Sequence, residues 1–196
     1  MSQADDVTYT DADLVALLRA GDEEAISRLV EQWSPTMFRV ARSFVDSAQS
    51  AEDVVQEAWL GMLSGLARFE GRSSLRTWTF TILVNRARTR GAREARTLPR
   101  SPLEDGSEES AQPWFCAATG ITPESAVLSR EILLQLDRAI SALPARQRQV
   151  VTMREISGMS AEEVCAALGI SAANQRVLLH RARAALRAAL TGYYRG

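Results

Sequence analysis

The sequence predicts an all-α protein made of two small helical domains joined by a flexible acidic linker. Apolar residues recur at the three- and four-residue spacing of amphipathic helices, and no stretch shows the sustained alternation expected of a strand. Prolines, glycines and acidic residues concentrate in one segment, a composition typical of an exposed linker. The predicted organisation is a disordered N-terminus at 1–10, a first domain at 11–96, a linker at 97–122 and a second domain at 123–192.

Four helices are expected in the first domain. Gly21 breaks the first helix, Asp22 caps the second, and Gly71 lies in the turn before the fourth. The second helix contains Pro35, which removes a backbone donor and predicts a kink. These helices are predicted at residues 11–20, 22–45, 48–69 and 74–96.

The second domain begins with two helices that prolines introduce. Pro123 opens a helix that extends to Leu143, and Pro144 opens another that reaches about Ile156, because proline suits the first turn of a helix. A helix-turn-helix at residues 160–187 is expected to follow.

This helix-turn-helix is predicted from the start and stop signals of its two helices. Ser160 and Glu163 form a capping box for the first helix. Gly169 ends that helix because glycine reaches left-handed dihedral angles at little cost, and Ser171 caps the second helix. The expected inward-facing residues are Val164, Ala167 and Leu168 on the first helix, and Leu179, Ala182, Leu186 and Ala189 or Leu190 on the second.

Cationic residues follow helical spacing along the second helix of this motif. The sequence separates Arg176, His180, Arg183 and Arg187 by steps of four, three and four, so they share one face. A cationic helix behind a short helix and a tight turn suits insertion into the major groove of DNA. The alternative is a solvated arginine-rich helix in a small bundle.

The net charge of −1 conceals a strong segregation of charge along the chain. Residues 1–70 carry a net charge of −8, residues 71–100 carry +7, residues 101–129 carry −5 and residues 130–196 carry +5. All 23 basic residues are arginines, which favour bidentate contacts with phosphate and guanine. Two basic regions separated by an acidic connector favour a nucleic-acid partner, although surface charge also clusters by chance.

Composition argues against several other classes of protein. No window of eighteen apolar residues indicates a membrane span, and the N-terminus lacks the basic start and apolar core of a signal peptide. Cys116 and Cys165 lie far apart and indicate no disulfide framework, so a cytoplasmic location is expected. A metal-dependent enzyme that uses these cysteines and His180 is disfavoured, because three scattered ligands do not make a site. We expect no catalytic residue, metal or cofactor.

The helix predicted at 48–69 has an acidic side. Asp53, Gln56, Glu57 and Leu60 lie on one side of it, while apolar residues can pack on the other. Paired carboxylates can perform acid–base chemistry or bind a metal, but no histidine or third oxygen ligand is close in the sequence. A solvated acidic face or a protein-docking face is the favoured interpretation.

The segment from Phe69 to Arg93 mixes aromatic side chains with arginines and hydroxyl residues. Bases of single-stranded nucleic acid can stack on such rings while guanidinium groups hold the phosphates. The alternative is that Trp78 and Phe80 are core residues. That alternative is the better interpretation of Phe80 and an equally good one for Trp78.

With these patterns in place, the chain resembles the extracytoplasmic-function group of bacterial sigma factors in the sigma-70 family. Region 2 of that group is similar to the stretches DLVALLRAGDEEAISRLV, AEDVVQEAWL and RFEGRSSLRTWTFTILVNRAR. Region 4 is similar to the stretch LPARQRQVVTMREISGMSAEEVCAALGISAANQRVLLHRARAALR. The helix-turn-helix alone occurs in many regulators, whereas both blocks in this order are highly specific. The resemblance implies a promoter-specificity subunit of RNA polymerase that is not itself an enzyme.

The resemblance also implies partners for this chain. Region 2 would dock on the clamp helices of the polymerase β′ subunit, region 4 would hold the β flap in an apolar groove, and an anti-sigma factor would cover these surfaces. The acidic linker resembles a segment that threads the polymerase toward its RNA exit path. The resemblance and the patterns above together predict three sets of site residues. The residues predicted to dock on polymerase are Asp53, Gln56 and Glu57. Those predicted to bind the −10 element are Phe69, Glu70, Gly71, Arg72, Trp78, Asn85, Arg86 and Arg88, and those predicted to bind the −35 element are Ser171, Arg176, Val177, His180, Arg181 and Arg183.

Two positions depart from a common pattern of the family after the turn. Val177 stands where a hydroxyl residue is usual, and Leu178 stands where arginine is usual, so the −35 preference cannot be copied from relatives. Arg176 is suited to guanine O6 and N7. The alternative function is a dimeric operator-binding regulator, which explains the helix-turn-helix but neither the aromatic and arginine segment nor the acidic helix face.

Overall fold

The computed structural model describes residues 10–97 and 134–193, and these residues are helical with no strand among them. None of the helices within these ranges is long and apolar enough to cross a membrane. The helices are α1 (Asp11–Arg19), α2 (Glu23–Arg42), α3 (Ala48–Gly65), α4 (Leu75–Thr97), α5 (residues 134–141 of the described chain), α6 (Ala145–Val151), α7 (Ala161–Leu168) and α8 (Ala172–Tyr193).

Side-chain caps explain where the first helices begin. Thr10 caps α1 in a capping box with Asp13, although it belongs to the stretch 1–10 that was expected to be disordered. The Asp22 carboxylate accepts a hydrogen bond from the Ala25 amide at 2.8 Å and so caps α2, as predicted. Residues 1–9 lie outside the described part of the chain.

The core of the first domain forms where α2, α3 and α4 pack together. Trp33 of α2 stacks on Trp59 of α3 with ring centroids 6.2 Å apart, and the Trp59 indole donates to the Ser34 hydroxyl at 3.1 Å. Met37 and Phe80 are almost fully buried beside them in the same apolar cluster, which confirms Phe80 as a core residue.

The predicted helix ends in this domain need small corrections. α2 runs through Pro35 and ends at Arg42 instead of residue 45, where the Ser43 hydroxyl donates to the Val40 carbonyl. The third helix ends at Gly65 and continues as a short 3-10 turn, Leu66–Arg68, instead of remaining α-helical to residue 69.

The second domain follows the predicted order of helices. Pro144 is the cap before α6, and the helix continues from α6 through a π-helical turn, Thr152–Ile156, which the sequence did not predict. Ser160 and Glu163 form the expected capping box of α7, and Gly169 ends it in the left-handed region with φ of 64°. The linker at 97–122 and the start of the helix at Pro123 fall outside the described residues, apart from Thr97.

The two domains lie in direct contact. α2 packs against the π-helical turn, and α4 packs against α7. Between α2 and the helices α5 and α6 lies a cavity of about 190 Å³, here called the interdomain cavity, which Asp137 helps to line. Its other charged lining residues are Arg39, Arg42, Asp46 and Arg148.

Asp137 is the titratable group that this contact perturbs most clearly. Burial raises the pKa of its carboxyl to about 6, against the opposing attraction of Arg42 and Arg138. One of its carboxylate oxygens is buried without a hydrogen-bond partner among the described residues. The ionised form of Asp137 is therefore disfavoured in the folded chain.

The folded protein should lose stability as Asp137 ionises. Because its folded-state pKa lies above the ordinary value of 3.8, its contribution to stability is fully present below that value and is lost as the pH rises through about 6. Asp137→Asn keeps the group neutral, so it should raise the melting temperature more at about pH 7.5 than at about pH 4.5. Thermal unfolding followed by circular dichroism measures this difference.

The matched control is Asp46→Asn, which changes an exposed carboxylate beside the same cavity. An Asp137→Asn melting temperature that differs from that of the native chain by the same amount at both pH values would contradict the assignment.

Candidate nucleic-acid and polymerase interface

Helix α4 carries its candidate −10 residues on two different faces. Trp78 and Arg86 lie on the side next to α3, where Arg86 donates to the Glu57 carboxylate at 3.2 Å. Asn85 is exposed and lines the same cavity as Arg88. Arg88 lies on the side next to α7 and donates to the Ala167 carbonyl at 2.6 Å. The structure therefore does not bring all the predicted −10 residues onto one open surface.

An aromatic contact helps to anchor the loop before α4 to the first domain. Phe69 packs against Trp78 in a tilted arrangement with ring centroids 5.0 Å apart. Glu70, Gly71 and Arg72 are exposed, and Glu70 pairs with Arg72 at 2.5 Å. Gly71 has a φ of 70°, which favours glycine at this turn. The ring pair thus presents a half-buried aromatic edge beside an exposed polar loop.

The acidic side of α3 forms ion pairs with arginines of α4. Arg90 donates to Asp53 at 2.9 Å, and Arg86 donates to Glu57 at 3.2 Å. Hydrogen bonds to Glu94 and then to Asp53 raise the pKa of the Arg90 guanidinium. Neither carboxylate is a simple solvated group, because each is fixed by an arginine at the surface.

Exposed leucines continue the same side of α3. Leu60 is 67% exposed and Leu63 is 38% exposed, and Gln56 is exposed one turn before them. The sequence interpretation included Leu60 but missed Leu63, which its spacing of three residues from Leu60 could have indicated. Large exposed apolar side chains beside carboxylates favour a protein-docking face over a solvated acidic face.

The start of α8 presents an exposed cationic surface. The Ser171 hydroxyl accepts from the Asn174 amide at 3.2 Å and caps the helix, as predicted. Arg176 and His180 are exposed, Val177 is 47% exposed, and Arg181 is exposed without a hydrogen bond to the described residues. These four residues can reach a partner that approaches the outer side of α8.

Arg183 shares one face of α8 with Arg176, His180 and Arg187, as the spacing predicted, but its guanidinium is engaged within the domain. It pairs with Glu155 of the π-helical turn at 2.5 Å, so its guanidinium is directed back toward the domain. The stripe from Arg176 to Arg187 lies beside the buried Leu179 and forms the flank of the helix, while Arg181 points farther outward.

The buried side of α8 also differs in detail from the prediction. The sequence left Ala189 and Leu190 as alternatives for the last inward-facing position. Leu190 is half-buried and Ala189 is exposed, so Leu190 takes that position. The sequence interpretation missed Gln175, which is 2% exposed near the start of the helix. A polar residue between two predicted exposed positions gives no burial signal in the sequence.

An apolar groove lies on the second domain, away from the exposed start of α8. Its volume is about 530 Å³, and both arginines at its edge, Arg183 and Arg187, belong to α8. Its apolar lining consists of Leu136, Ile140, Val151, Ile156, Leu186 and Leu190.

Metal ligands do not assemble in the described part of the chain. Among residues 10–97 and 134–193, no three His, Cys, Asp or Glu side chains come together as a metal site would require. Cys165 is a half-buried free thiol, and Cys116 lies outside the described residues.

Comparison with known families matches both halves of the chain. Sigma-70 region 2 matches residues 29–97, and Sigma-70, region 4 matches residues 133–186. The ECF RNA polymerase sigma-E factor of Escherichia coli (strain K12) is 30% identical over 90% of this chain and 92% of its own length. The chain belongs to the extracytoplasmic-function sigma factors of the sigma-70 family. It is an RNA polymerase sigma factor that acts in promoter recognition.

Other comparisons agree with this family. The RNA polymerase sigma-H factor of Pseudomonas aeruginosa is 30% identical to this sigma factor over 92% of this chain and 93% of its own length. The solved structure of CnrH in complex with the cytosolic domain of CnrY is 25% identical, with a TM-score of 0.58, and the match covers 93% of this chain and 97% of that one. The sigma factor RpoE of Bartonella quintana, in complex with the anti-sigma factor NepR, has a TM-score of 0.55 at 23% identity and supports the fold, with 85% of this chain and 96% of that one covered.

Trp78 should contribute to promoter melting, because its half-buried ring is supported by Phe69 and lies on the helix that carries Asn85 and Arg86. Trp78→Ala should reduce open-complex formation more than closed-complex binding. Loss of base stacking costs about 1–3 kcal/mol, a factor of roughly 5–150 in the open population. Permanganate footprinting of the holoenzyme on a promoter measures the unpaired bases.

A pre-melted promoter is the control for this variant. It should restore the activity of Trp78→Ala, since the strands are already separated. Normal footprinting with the folded variant would show that Trp78 only supports the core, and Trp78→Phe tests the same point if the alanine variant unfolds.

Proposed function

We propose that this sigma factor divides promoter recognition between its domains, with α4 and the loop before it at the −10 element and α8 at the −35 element. The observation that carries this proposal is the presence of two separate arginine-bearing helices, one beside an aromatic pair and one in a capped helix-turn-helix. Aromatic rings suit unpaired bases, whereas a cationic helix suits the major groove.

At the −10 element, the exposed loop of Glu70, Gly71 and Arg72 would capture a flipped base beside the Phe69 ring. Extruding a base from the duplex costs a few kcal/mol, which stacking and hydrogen bonding in the pocket offset. The other residues proposed for this element are Trp78, Asn85, Arg86 and Arg88. Melting then needs no catalytic residue, and the chain is proposed to have no enzymatic activity and no cofactor of its own.

At the −35 element, Arg176, Val177, His180 and Arg181 would form the reading surface, with Ser171 fixing the start of the helix. Their exposure on α8 supports this set. Arg183 is the weaker candidate, because Glu155 already neutralises it.

Two surfaces are proposed to bind core RNA polymerase. The side of α3 with Asp53, Gln56 and Glu57 would dock on the β′ clamp helices, and exposed Leu60 and Leu63 support an apolar contribution there. The apolar groove of the second domain would hold the β flap, since six apolar side chains line it and its volume of about 530 Å³ admits apolar side chains of a partner. Its charged lining residues are Glu155, Arg183 and Arg187.

An anti-sigma factor is a further proposed partner. NepR is named as the anti-sigma factor of the Bartonella protein, and the CnrH structure contains the cytosolic domain of CnrY. We also propose a cytoplasmic location and the domain boundaries 11–96 and 123–192, with the acidic linker between them.

In vitro transcription tests the proposed division of labour. The purified chain with core polymerase should give promoter-dependent transcripts, whereas an operator-binding regulator would give none. The double variant Asp53→Ala with Glu57→Ala is compared with the native chain and should form less holoenzyme with core polymerase. Its folding should change little, because exposed ion pairs contribute at most about 1 kcal/mol to stability. Equal holoenzyme formation by both proteins would contradict the docking role of α3.

Arg176 should determine −35 selectivity because it is exposed near the start of α8. Arg176→Ala should weaken specific promoter binding by about 1–3 kcal/mol and relax selectivity at one −35 position. Binding of the holoenzyme to a set of single-base promoter variants measures this effect.

Arg187→Ala is the matched control, since it removes the same charge from the same flank three turns farther along α8. It should lower affinity evenly across the promoter variants. Unchanged selectivity in Arg176→Ala would reduce Arg176 to a phosphate contact.

A further inference from the structure

The loop before α4, residues 69–74 and here called the base-capture loop, is exposed at its tip and fixed at its ends. Residues 70–74 are exposed, whereas Leu66 before the loop and Leu75 after it are 4% and 0% exposed. A β-carbon built on Gly71 meets no atom of the described chain within 4 Å. The shape of the tip therefore depends on how the two ends of the loop are held.

Arg19 of α1 holds the first end of this loop. Its guanidinium donates to the Leu66 carbonyl through Nε at 3.3 Å and through Nη2 at 3.2 Å, and Nη2 also donates to the Phe69 carbonyl at 2.9 Å. Carbonyls at the end of a helix carry partial negative charge, so a guanidinium is favourable there. One side chain thereby joins the 3-10 turn after α3 to the first residue of the loop.

Asp11 of the same helix holds the second end. Its carboxylate accepts a hydrogen bond from the Leu75 amide at 3.0 Å, at the first residue of α4. The first amides of a helix have no partner within the helix and form its positive end, so a carboxylate is favourable there. The Ser74 hydroxyl accepts from the Thr77 amide at 3.0 Å and satisfies a second amide of this turn. Asp11 thus fixes where α4 begins relative to α1.

Helix α1 sets the distance between these two contacts. Asp11 and Arg19 are eight residues apart, which corresponds to about 12 Å along a helix. Val15 and Leu18 on the inner side of α1 are 8% and 4% exposed, and the helix packs against α2 and the 3-10 turn. A short helix that is docked on the core and charged at both ends therefore connects the two ends of the base-capture loop.

These polar contacts serve the loop more than the core. Arg19 and Asp11 are both exposed, and exposed polar contacts contribute little to the stability of a fold. Each nevertheless reaches a backbone group that is distant in sequence, and both backbone groups border the same loop. Phe69 packs against Trp78 between these two contacts. The arrangement fixes the path of the backbone on both sides of the exposed tip.

We propose that α1 is a positioning element for base capture, in which Arg19 and Asp11 hold the base-capture loop in the geometry that accepts an unpaired base of the −10 element. Neither side chain needs to touch the base, so both are positioning residues. A loop already held in its binding geometry loses little conformational freedom when the base arrives, which raises its affinity for that base. This inference rests on the proposed function and adds two residues, distant from the loop in sequence, to −10 specificity.

Hydrogen exchange of the free full-length chain tests whether α1 holds the loop. The Phe69 and Leu75 amides are both hydrogen-bonded at the ends of the loop. In Arg19→Met, peptides that cover residues 66–75 should exchange at least about threefold faster than in the native chain. The matched control is Arg28→Met on the exposed side of α2, where Arg28 pairs with Glu24 of the same helix at 3.2 Å. Exchange in the same peptides should not change in this control.

Base preference tests the role of α1 on DNA. Holoenzyme binding is measured on the −10 single strand of a promoter that the chain transcribes, and on the same strand with an abasic site at each position in turn. The position with the largest loss of affinity in the native holoenzyme marks the captured base. In Arg19→Met the ratio of the two affinities at this position should fall roughly three- to tenfold, while affinity for the abasic strand stays the same. Arg28→Met should keep the native ratio.

Asp11 allows a conservative rescue. Asp11→Ala removes the acceptor of the Leu75 amide and should lower the base preference in the same way as Arg19→Met. Asp11→Asn keeps a side-chain oxygen that accepts this hydrogen bond, so its preference should remain close to that of the native chain. An asparagine variant as poor as the alanine variant would overturn the role of this hydrogen bond and with it the two-ended support of the loop.

Failure of this inference differs from failure of the proposed function. Loop exchange and base preference in Arg19→Met equal to those of Arg28→Met would overturn the role of α1, and so would a lower melting temperature with an unchanged base preference. If Arg19→Met does not fold, Arg19→Lys replaces it, because an ammonium lacks the fork that reaches both carbonyls, and a native preference in that variant would be equally contrary. A native chain that loses no affinity at any abasic position would instead contradict base capture itself.

Discussion

The close approach of α4 to its neighbours is the constraint on which the rest of the first domain depends. A side chain at Gly91 would overlap the Phe44 carbonyl oxygen, which is backbone and cannot move aside cheaply. A β-carbon at Gly65 would lie 3.1 Å from the Trp78 ring. These glycines matter for their small size and allow α4 to lie flat on α3 and on the end of α2. That position in turn places Trp78 against the loop before α4 and lets the arginines of α4 reach across to the carboxylates of α3.

The arginines of this chain divide between holding the fold and meeting a partner. Arg19 donates to the carbonyls of Leu66 and Phe69 and so fixes the loop that leads into the −10 candidates. Arg90 lies between Asp53 and Glu94. The charge of +7 on residues 71–100 therefore overstates the positive surface available to nucleic acid. Charge counted along a sequence locates a basic helix, but only the ion pairs of the folded chain decide which of its guanidinium groups remain available.

The predictability of each feature follows from the sequence separation of the residues that create it. The capping box of Ser160 and Glu163 and the left-handed end at Gly169 depend on residues within one helix, so the sequence was sufficient for both. Helix type and order were predictable for the same reason. The ion pair of Arg183 with Glu155 is different, because it depends on how α8 crosses the π-helical turn. Spacing along α8 correctly placed Arg183 on the face of Arg176, His180 and Arg187, but it could not show that a carboxylate of the same domain pairs with it. The roles of the candidate residues on DNA and polymerase remain predictions.

The helix-turn-helix has a competing use for its first helix in this fold. In DNA-bound helix-turn-helix proteins the first helix crosses the DNA backbone, while here the end of α7 accepts a hydrogen bond from Arg88. A positively charged group at that end is favourable in this arrangement, because it meets the negative end of the helix dipole. The same carbonyl offers nothing to a phosphate. The contact between α4 and α7 therefore satisfies the Arg88 guanidinium and the C-terminal end of α7 at the same time.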